Sequence, residues 1–167
     1  MNTSDKYKKL EAIIVRNQDY LFRFAYFRIG DREEAEDILQ EVFLKLFDND
    51  FEIENDESMR MYLFRTVYHA CNDYHRHKKR NVVPLCHEQL EIVDESDREM
   101  QQEYQRIWQY LDALPPEQAE VIQMHLSDNL TFVEIAKVTG KAETTIKSRY
   151  KSGIEKLRNV LKKEGIL

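Results

Sequence analysis

Thr131-Phe-Val-Glu-Ile-Ala-Lys-Val-Thr-Gly-Lys-Ala-Glu-Thr-Thr-Ile-Lys-Ser-Arg-Tyr-Lys151 decides how this chain folds, because it spells two short helices and the turn between them. Thr131 followed by Glu134 is a capping box, in which each residue satisfies an amide that the first helical turn leaves unpaired. Ile135, Ala136 and Val138 supply a short apolar face, and Gly140 stands where a tight turn between crossed helices needs positive φ. The next helix is expected over 142–163, with Ile146, Tyr150, Ile154, Leu157 and Leu161 facing inward. Thr144, Lys147, Ser148 and Lys151 then share the outer face, flanked by Arg149. Hydroxyls and cations at the start of a second helix suit a DNA major groove: hydroxyls reach phosphates or base edges, while Lys and Arg bond guanine acceptors or phosphates. The alternative is a basic solvated helix in an ordinary bundle.

Working outward, the chain of 167 residues is acidic, with a net charge of −6, yet its cations are gathered in two islands. Residues 61–87 carry five Lys or Arg against one Asp, and residues 129–167 carry nine against four acids, whereas 88–128 hold eleven acids and two cations. Bulk acidity does not exclude nucleic acid, because only groups within about a Debye length of the phosphates, ~8–10 Å, act strongly on them. Four Gly and three Pro leave little material for sheet turns. The expected fold class is therefore all-α: two small helical domains joined by an acidic linker, the C-terminal one a helix-turn-helix. Cys71 and Cys86 do not make a disulfide framework, and no apolar run approaches the ~18 residues that would span a bilayer. The expectation is a soluble, cytoplasmic chain without membrane insertion.

From Tyr7 to Ile29, residues Leu10, Ile13, Ile14, Tyr20, Leu21, Phe24, Ala25 and Phe27 recur mostly at helical steps, and Gly30-Asp31 supplies a stop and a new start. Arg32 to Phe47 places Ile38, Leu39, Val42, Phe43, Leu46 and Phe47 on one face and Asp37, Gln40, Glu41 and Lys45 on another. The acidic stretch 48–58 lacks periodicity and reads as a loop, followed by a helix from Met59 to about Lys79. Domain bounds follow as 1–80, a linker at 81–103 containing Pro84, and 104–167. In the last block Tyr104, Ile107, Tyr110, Leu111 and Leu114 make a stripe, Pro116 suits the first turn of the following helix, and Asn129 ends that helix.

On the middle helix Phe64, Val67, Cys71 and Tyr74 face inward, leaving Arg65, His69, Asn72, Arg76 and Lys79 or Arg80 on the opposite side. With Tyr62 and Tyr68 nearby, that face suits a phosphate backbone and an unpaired base, since base–aromatic stacking is worth ~1–3 kcal/mol and tolerates any sequence. The competing account makes Tyr62 and Tyr68 half-buried core residues and the cations merely solvated. His69, Cys71, His75, His77, Cys86 and His87 also raise a zinc site, but only Cys71 and His75 share a helical face and no finger spacing is present, so no metal or cofactor is expected.

Together these residues resemble the extracytoplasmic-function (ECF) group of bacterial RNA polymerase sigma factors, over almost the whole chain. Asp31-Arg-Glu-Glu-Ala-Glu-Asp-Ile-Leu-Gln-Glu-Val-Phe-Leu-Lys-Leu-Phe47 is similar to the family's acidic helix that binds the β′ clamp coiled coil. Tyr62-Leu-Phe-Arg65 through Asp73-Tyr74, with 76–80, resembles its −10 segment. Leu114-Pro-Pro-Glu-Gln118, Leu130 to Ala136 and Thr144-Thr-Ile-Lys-Ser-Arg149 resemble its −35 domain. The resemblance implies polymerase contacts at Asp37, Gln40 and Glu41. It implies −10 contacts at Tyr62, Arg65, His69, Asn72, Arg76, Lys79 and Arg80, and −35 contacts at Thr144, Lys147, Ser148, Arg149 and Lys151. The implied partners are core RNA polymerase (β′ clamp coiled coil, β), promoter DNA and an anti-sigma factor. The chain departs from the family where Trp-Leu is usual, with Tyr62-Leu63, and where Arg-Asn is usual, with Tyr68-His69, which leaves the preferred −10 base open. Ala119 and His125 stand where Arg is common, so weaker backbone contacts are expected there.

Two other classes remain beside this one. A stand-alone helix-turn-helix regulator binding operator DNA shares the Thr-x-x-Glu-Ile-Ala pattern, but a response regulator would begin with strands and an acidic pocket, not the helical periodicity of residues 7–79. An enzyme needs a nucleophile–base pair, a phosphate loop or paired carboxylates; none is found, and Glu33, Glu34, Glu36 and Asp37 are explained as acids complementing a helix start.

Overall fold

A computed structural model describes residues 2–50, 52–80 and 95–167, with the side chains of Lys79 and Arg80 outside that set. Its described residues form seven helices and no strand, as the low Gly and Pro content leads one to expect. They divide into two compact units, Met1–Pro84 and Leu85–Leu167.

The first unit packs α1 (Thr3–Ile29), α2 (Arg32–Asp48) and α3 (Asp56–Arg80) against one another. Gly30 ends α1 at φ 79°, a left-handed conformation that favours glycine, and donates its N–H to Tyr26 O at 2.7 Å. Asp31 then caps α2 by accepting from Glu34 N at 3.0 Å, so two residues suffice to reverse the chain. Asn55 does the same for α3, accepting from Ser58 N at 2.8 Å, which starts that helix three residues before Met59. At the centre Phe24 and Phe64 meet edge to face, 5.3 Å between centroids, both essentially without exposure. Leu21, Phe27, Ala35, Leu63, Val67 and Cys71 are fully buried around them. Four residues of the apolar pattern differ: Tyr20 is 65% exposed, and Phe43, Phe47 and Tyr74 are half-buried rather than buried. Tyr20 lies one position before Leu21, about 100° round the helix from the inward stripe.

The second unit contains α4 (Glu95–Leu111), α5 (Pro116–Leu126), α6 (Phe132–Thr139) and α7 (Glu143–Lys163). Of the stretch expected as linker, 81–94 lie outside the described residues, and 95–103 are helical, forming the first half of α4. Pro116 occupies the first turn of α5, where its missing N–H costs nothing. The helix ends at Leu126 with Ser127 as its cap, earlier than Asn129, which lies in the following turn at φ 55°, a conformation Asn tolerates better than most residues. The capping box of α6 is fully made: Glu134 N donates to Thr131 Oγ1 at 3.1 Å, and Thr131 N donates to Glu134 Oε2 at 2.8 Å. Gly140, at φ 71°, turns the chain towards α7.

The α5–α7 contact depends on a residue the sequence pattern does not mark. Gly153 is buried on α7, and a Cβ placed there would lie 2.7 Å from Ile122 Cδ1 and 3.2 Å from Gln118 Cβ. Glycine thus lets the two helices approach closely. Gly153→Leu is expected to force them apart and cost the C-terminal unit about 1–3 kcal/mol. A fall in Tm by circular dichroism checks this, and an unchanged Tm would mean that the contact yields freely.

Candidate nucleic-acid interfaces

On α7, Thr144, Lys147, Ser148 and Lys151 are all exposed along one stripe, while Ile146 on the opposite side is fully buried. Burial of the inner face therefore fixes which residues face out. Lys147 pairs with Glu143 at 3.0 Å within the helix, a solvated contact worth about 0–1 kcal/mol and easily exchanged for a phosphate. Arg149 is half-buried, and its Nη2 lies 3.9 Å from Glu117 Oε2 at the start of α5, so it flanks the stripe without joining it. His125 Nδ1 is 2.8 Å from Leu130 O, where a carbonyl can only accept, so this ring nitrogen carries the proton. The same ring stacks on Phe132 at 4.4 Å and meets Tyr150 edge-on at 5.0 Å. It locks the α5–α6 turn onto α7. Ala119 is buried and His125 is engaged in this packing, so neither position carries the Arg common in the family.

On α3, Tyr62, Arg65, His69 and Arg76 are exposed, and Arg76 forms an ion pair with Asp73 one turn earlier. Asn72 differs from them: it is half-buried, and its Oδ1 accepts from Arg28 Nη2 at 3.1 Å. Tyr68 also belongs to the interior, 8% exposed with the Arg28 guanidinium 4.5 Å from its ring centroid, so of the two tyrosines considered for base stacking only Tyr62 reaches the surface. Lys79 and Arg80 close the helix, with side chains outside the described residues.

Cys71 is fully buried and its thiol is pushed up to about 11 by loss of solvent, with the charge of Arg28 acting in the opposite direction. It stays a protonated core residue at neutral pH. His75 Nε2 donates to Arg28 O at 2.8 Å. Among the described residues no three His, Cys, Asp or Glu side chains gather as a metal site, and Cys86 and His87 lie outside those residues.

On α2, Asp37, Gln40 and Glu41 are exposed side by side, and Ile38, Leu39 and Val42 are buried behind them. Glu41 pairs with Lys45 at 3.0 Å on the surface. Leu44, 62% exposed one turn beyond Gln40, gives the acidic stripe an apolar end.

The connection before α3 contributes a feature that sequence reasoning missed. An open cleft of about 190 Å³ is lined by Glu52, Ile53, Glu54, Ser58, Met59 and Tyr62. The available signal was Ile53, a lone aliphatic between two acids, which is 7% exposed and anchors this stretch to the unit. Both ends are tied to α1, by Lys6 to Asp50 at 2.7 Å and by Arg16 to Asp56 at 2.8 Å. The Lys6 hydrogen bond and charge hold the Asp50 carboxyl below the usual carboxylate range.

Residues 13–81 match the Sigma-70 region 2 family, and residues 110–159 match Sigma-70 region 4. The helix α3 and the start of α7 with its exposed stripe fall inside these matches. The chain belongs to the ECF family of RNA polymerase sigma factors, transcription initiation factors that bind DNA. It is 24% identical over 155 residues to RNA polymerase sigma factor SigV of Bacillus subtilis (strain 168), covering 93% of this chain and 92% of that relative. It is 26% identical over 161 residues to ECF RNA polymerase sigma factor SigE of Mycolicibacterium smegmatis, covering 92% of this chain and 62% of the longer relative. In fold it is similar to the sigma factor RpoE of Bartonella quintana, solved in complex with the anti-sigma factor NepR, with a TM-score of 0.62 at 20% identity over 95% of this chain and 97% of that one. Among the described residues no helix is long and apolar enough to cross a membrane.

Proposed function

We propose that this chain brings core RNA polymerase to promoters read at two elements: the −35 element in the major groove by α7, and the −10 element by the exposed face of α3. The observation that carries this is the pair of exposed cationic stripes, Thr144 to Lys151 and Arg65 to Arg76, each backed by its own buried core. A stand-alone operator-binding regulator has no use for the second stripe. Nor does the all-helical first unit resemble a receiver domain built on strands.

The acidic stripe of Asp37, Gln40 and Glu41 is assigned to the polymerase β′ clamp coiled coil. Its carboxylates complement a basic partner, and its exposed polar atoms need no rearrangement to bind. The mechanism involves no covalent chemistry. Binding at −35 sets the register, and α3 captures a strand as the duplex opens. Opening costs roughly 1.4 kcal/mol per base-pair step, more than two solvated patches supply, so polymerase and its β subunit must contribute contacts of their own. Tyr62, exposed at the rim of the adjacent cleft, is assigned to stack on an unpaired base. Work of this kind belongs in the cytoplasm, and an anti-sigma factor is the proposed means of control.

Lys147→Ala tests the −35 half. It is expected to weaken recognition of the upstream element about 5–100-fold, the worth of one base or phosphate contact, and to leave affinity for core polymerase unchanged. Gel-shift titration of the holoenzyme on wild-type and −35-scrambled promoters measures it. An equal loss on both templates would make Lys147 a phosphate anchor rather than a sequence reader, and no loss would remove α7 from the interface.

A further inference from the structure

Asn72 is a member of the α3 face whose hydrogen-bonding capacity is already half spent by a side chain from α1. Its Oδ1 accepts from Arg28 Nη2 at 3.1 Å, whereas its amide nitrogen is neither paired nor buried among the described residues. Arg28 is held from several directions. Its guanidinium packs 4.5 Å from the ring centroid of Tyr68 and 5.6 Å from that of Phe24, and its main-chain oxygen accepts from His75 Nε2 at 2.8 Å. The residue thus staples the end of α1 to the middle of α3 at two points.

A side-chain amide normally offers two donors on one end and an acceptor on the other, and it can flip between them. Beside a guanidinium it cannot: the flipped amide would point N–H groups at N–H groups. Because Arg is protonated at every accessible pH, the bias is permanent. We infer that Arg28 is a positioning residue that turns Asn72 into a donor-only contact, selecting an acceptor atom on the promoter strand, either a phosphate oxygen or a keto or ring-nitrogen edge of a base. A base presenting an amino group at that point is refused.

This rests on α3 meeting DNA, and the test keeps the two apart. Asn72→Asp preserves the Arg28 contact as an ion pair but removes both donors; Arg28→Met keeps an apolar side chain against the two rings but frees the amide to flip. Arg65→Ala and Arg76→Ala report on the face as a whole. Each protein is assembled with core polymerase, and open-complex formation is measured on two template sets, one carrying all four bases at each −10 position, the other carrying single neutral methylphosphonates. Asn72→Asp is expected to lose about tenfold. If the acceptor is a base edge, the loss is confined to particular bases at one position, and Arg28→Met flattens the preference there. If it is a phosphate, the loss is the same for every base, and one methylphosphonate brings the wild type down to the variant's level. A merely structural Arg28 would lower Tm without changing base ratios or the methylphosphonate response. Should Arg28→Met not fold, Asn72→Asp decides alone. The inference is overturned if Asn72→Asp behaves as wild type on every template, or if a folded Arg28→Met keeps wild-type ratios and responses. Losses in Arg65→Ala and Arg76→Ala beside a silent Asn72→Asp defeat this inference only, whereas silence in all three defeats the DNA-binding face itself.

Discussion

A chain carrying Asp37→Arg and Gln40→Arg together is expected to lose core polymerase binding, with Kd rising about 100-fold or more and specific transcription falling to background. Both side chains are exposed on α2, so the substitutions remove no packing, and arginine is a good helix former. What changes is the sign of the stripe. Asp37 lies near the middle of an acidic face, and a reversed charge costs the original attraction and adds repulsion from a basic partner, several kcal/mol when two neighbouring positions change. Far-ultraviolet circular dichroism and Tm should remain within about 1 kcal/mol of wild type. Binding is read by titrating labelled protein with core enzyme. Retained affinity would move the docking surface off α2, and loss of structure would mean that these side chains support the fold.

The largest effect on stability is expected at Phe64. Its ring is 1% exposed and stands edge-on to the fully buried Phe24, and the Arg60 guanidinium lies 5.1 Å from its centroid. Phe64→Ala removes the transfer energy of the ring and leaves a cavity where three helices meet, a loss of about 3–5 kcal/mol. Against the marginal stability of a small helical unit, that is a large fraction of the total. The N-terminal unit should therefore melt well below the wild type or fail to fold, abolishing open-complex formation. The C-terminal unit has its own buried cluster around Leu111, Leu114 and Ile122 and is expected to stay folded. Chemical denaturation followed by near-ultraviolet signals from Trp108 and from the tyrosines separates the two transitions. A shift of less than 1 kcal/mol would show that the site collapses around the missing ring.

The elements were legible wherever a local chemical signal sets an end. Gly30-Asp31, Pro116, Thr131 with Glu134, and Gly140 each act through backbone groups within a turn of themselves, and the helices begin and end beside them. The exposed faces of α2 and α7 were legible for the same reason, since a strong apolar stripe leaves only one side outward. The less readable part is tertiary. Nothing within a few residues of Asn72 announces that Arg28, 44 positions earlier, holds its carbonyl, or that the same guanidinium keeps Tyr68 inside. Helical spacing puts Tyr68 beside the stripe proposed to meet DNA; the cation from α1 packs on it inside the unit. Gly153 escaped notice because a glycine adds nothing to an apolar pattern, although its missing side chain is what α5 packs into. The stretch before α3 was readable as acidic and irregular, yet Ile53 folds it into a cleft wall.

Run-off transcription with purified core polymerase on a genomic library of upstream regions tests the central claim most directly. Core enzyme alone should give no specific product. Addition of this chain should yield discrete transcripts from templates that share two spaced elements, while the chain without polymerase binds the same DNA only weakly. Tight, sequence-specific binding in the absence of polymerase, or no discrete transcript from any template, would contradict the account and favour a stand-alone regulator.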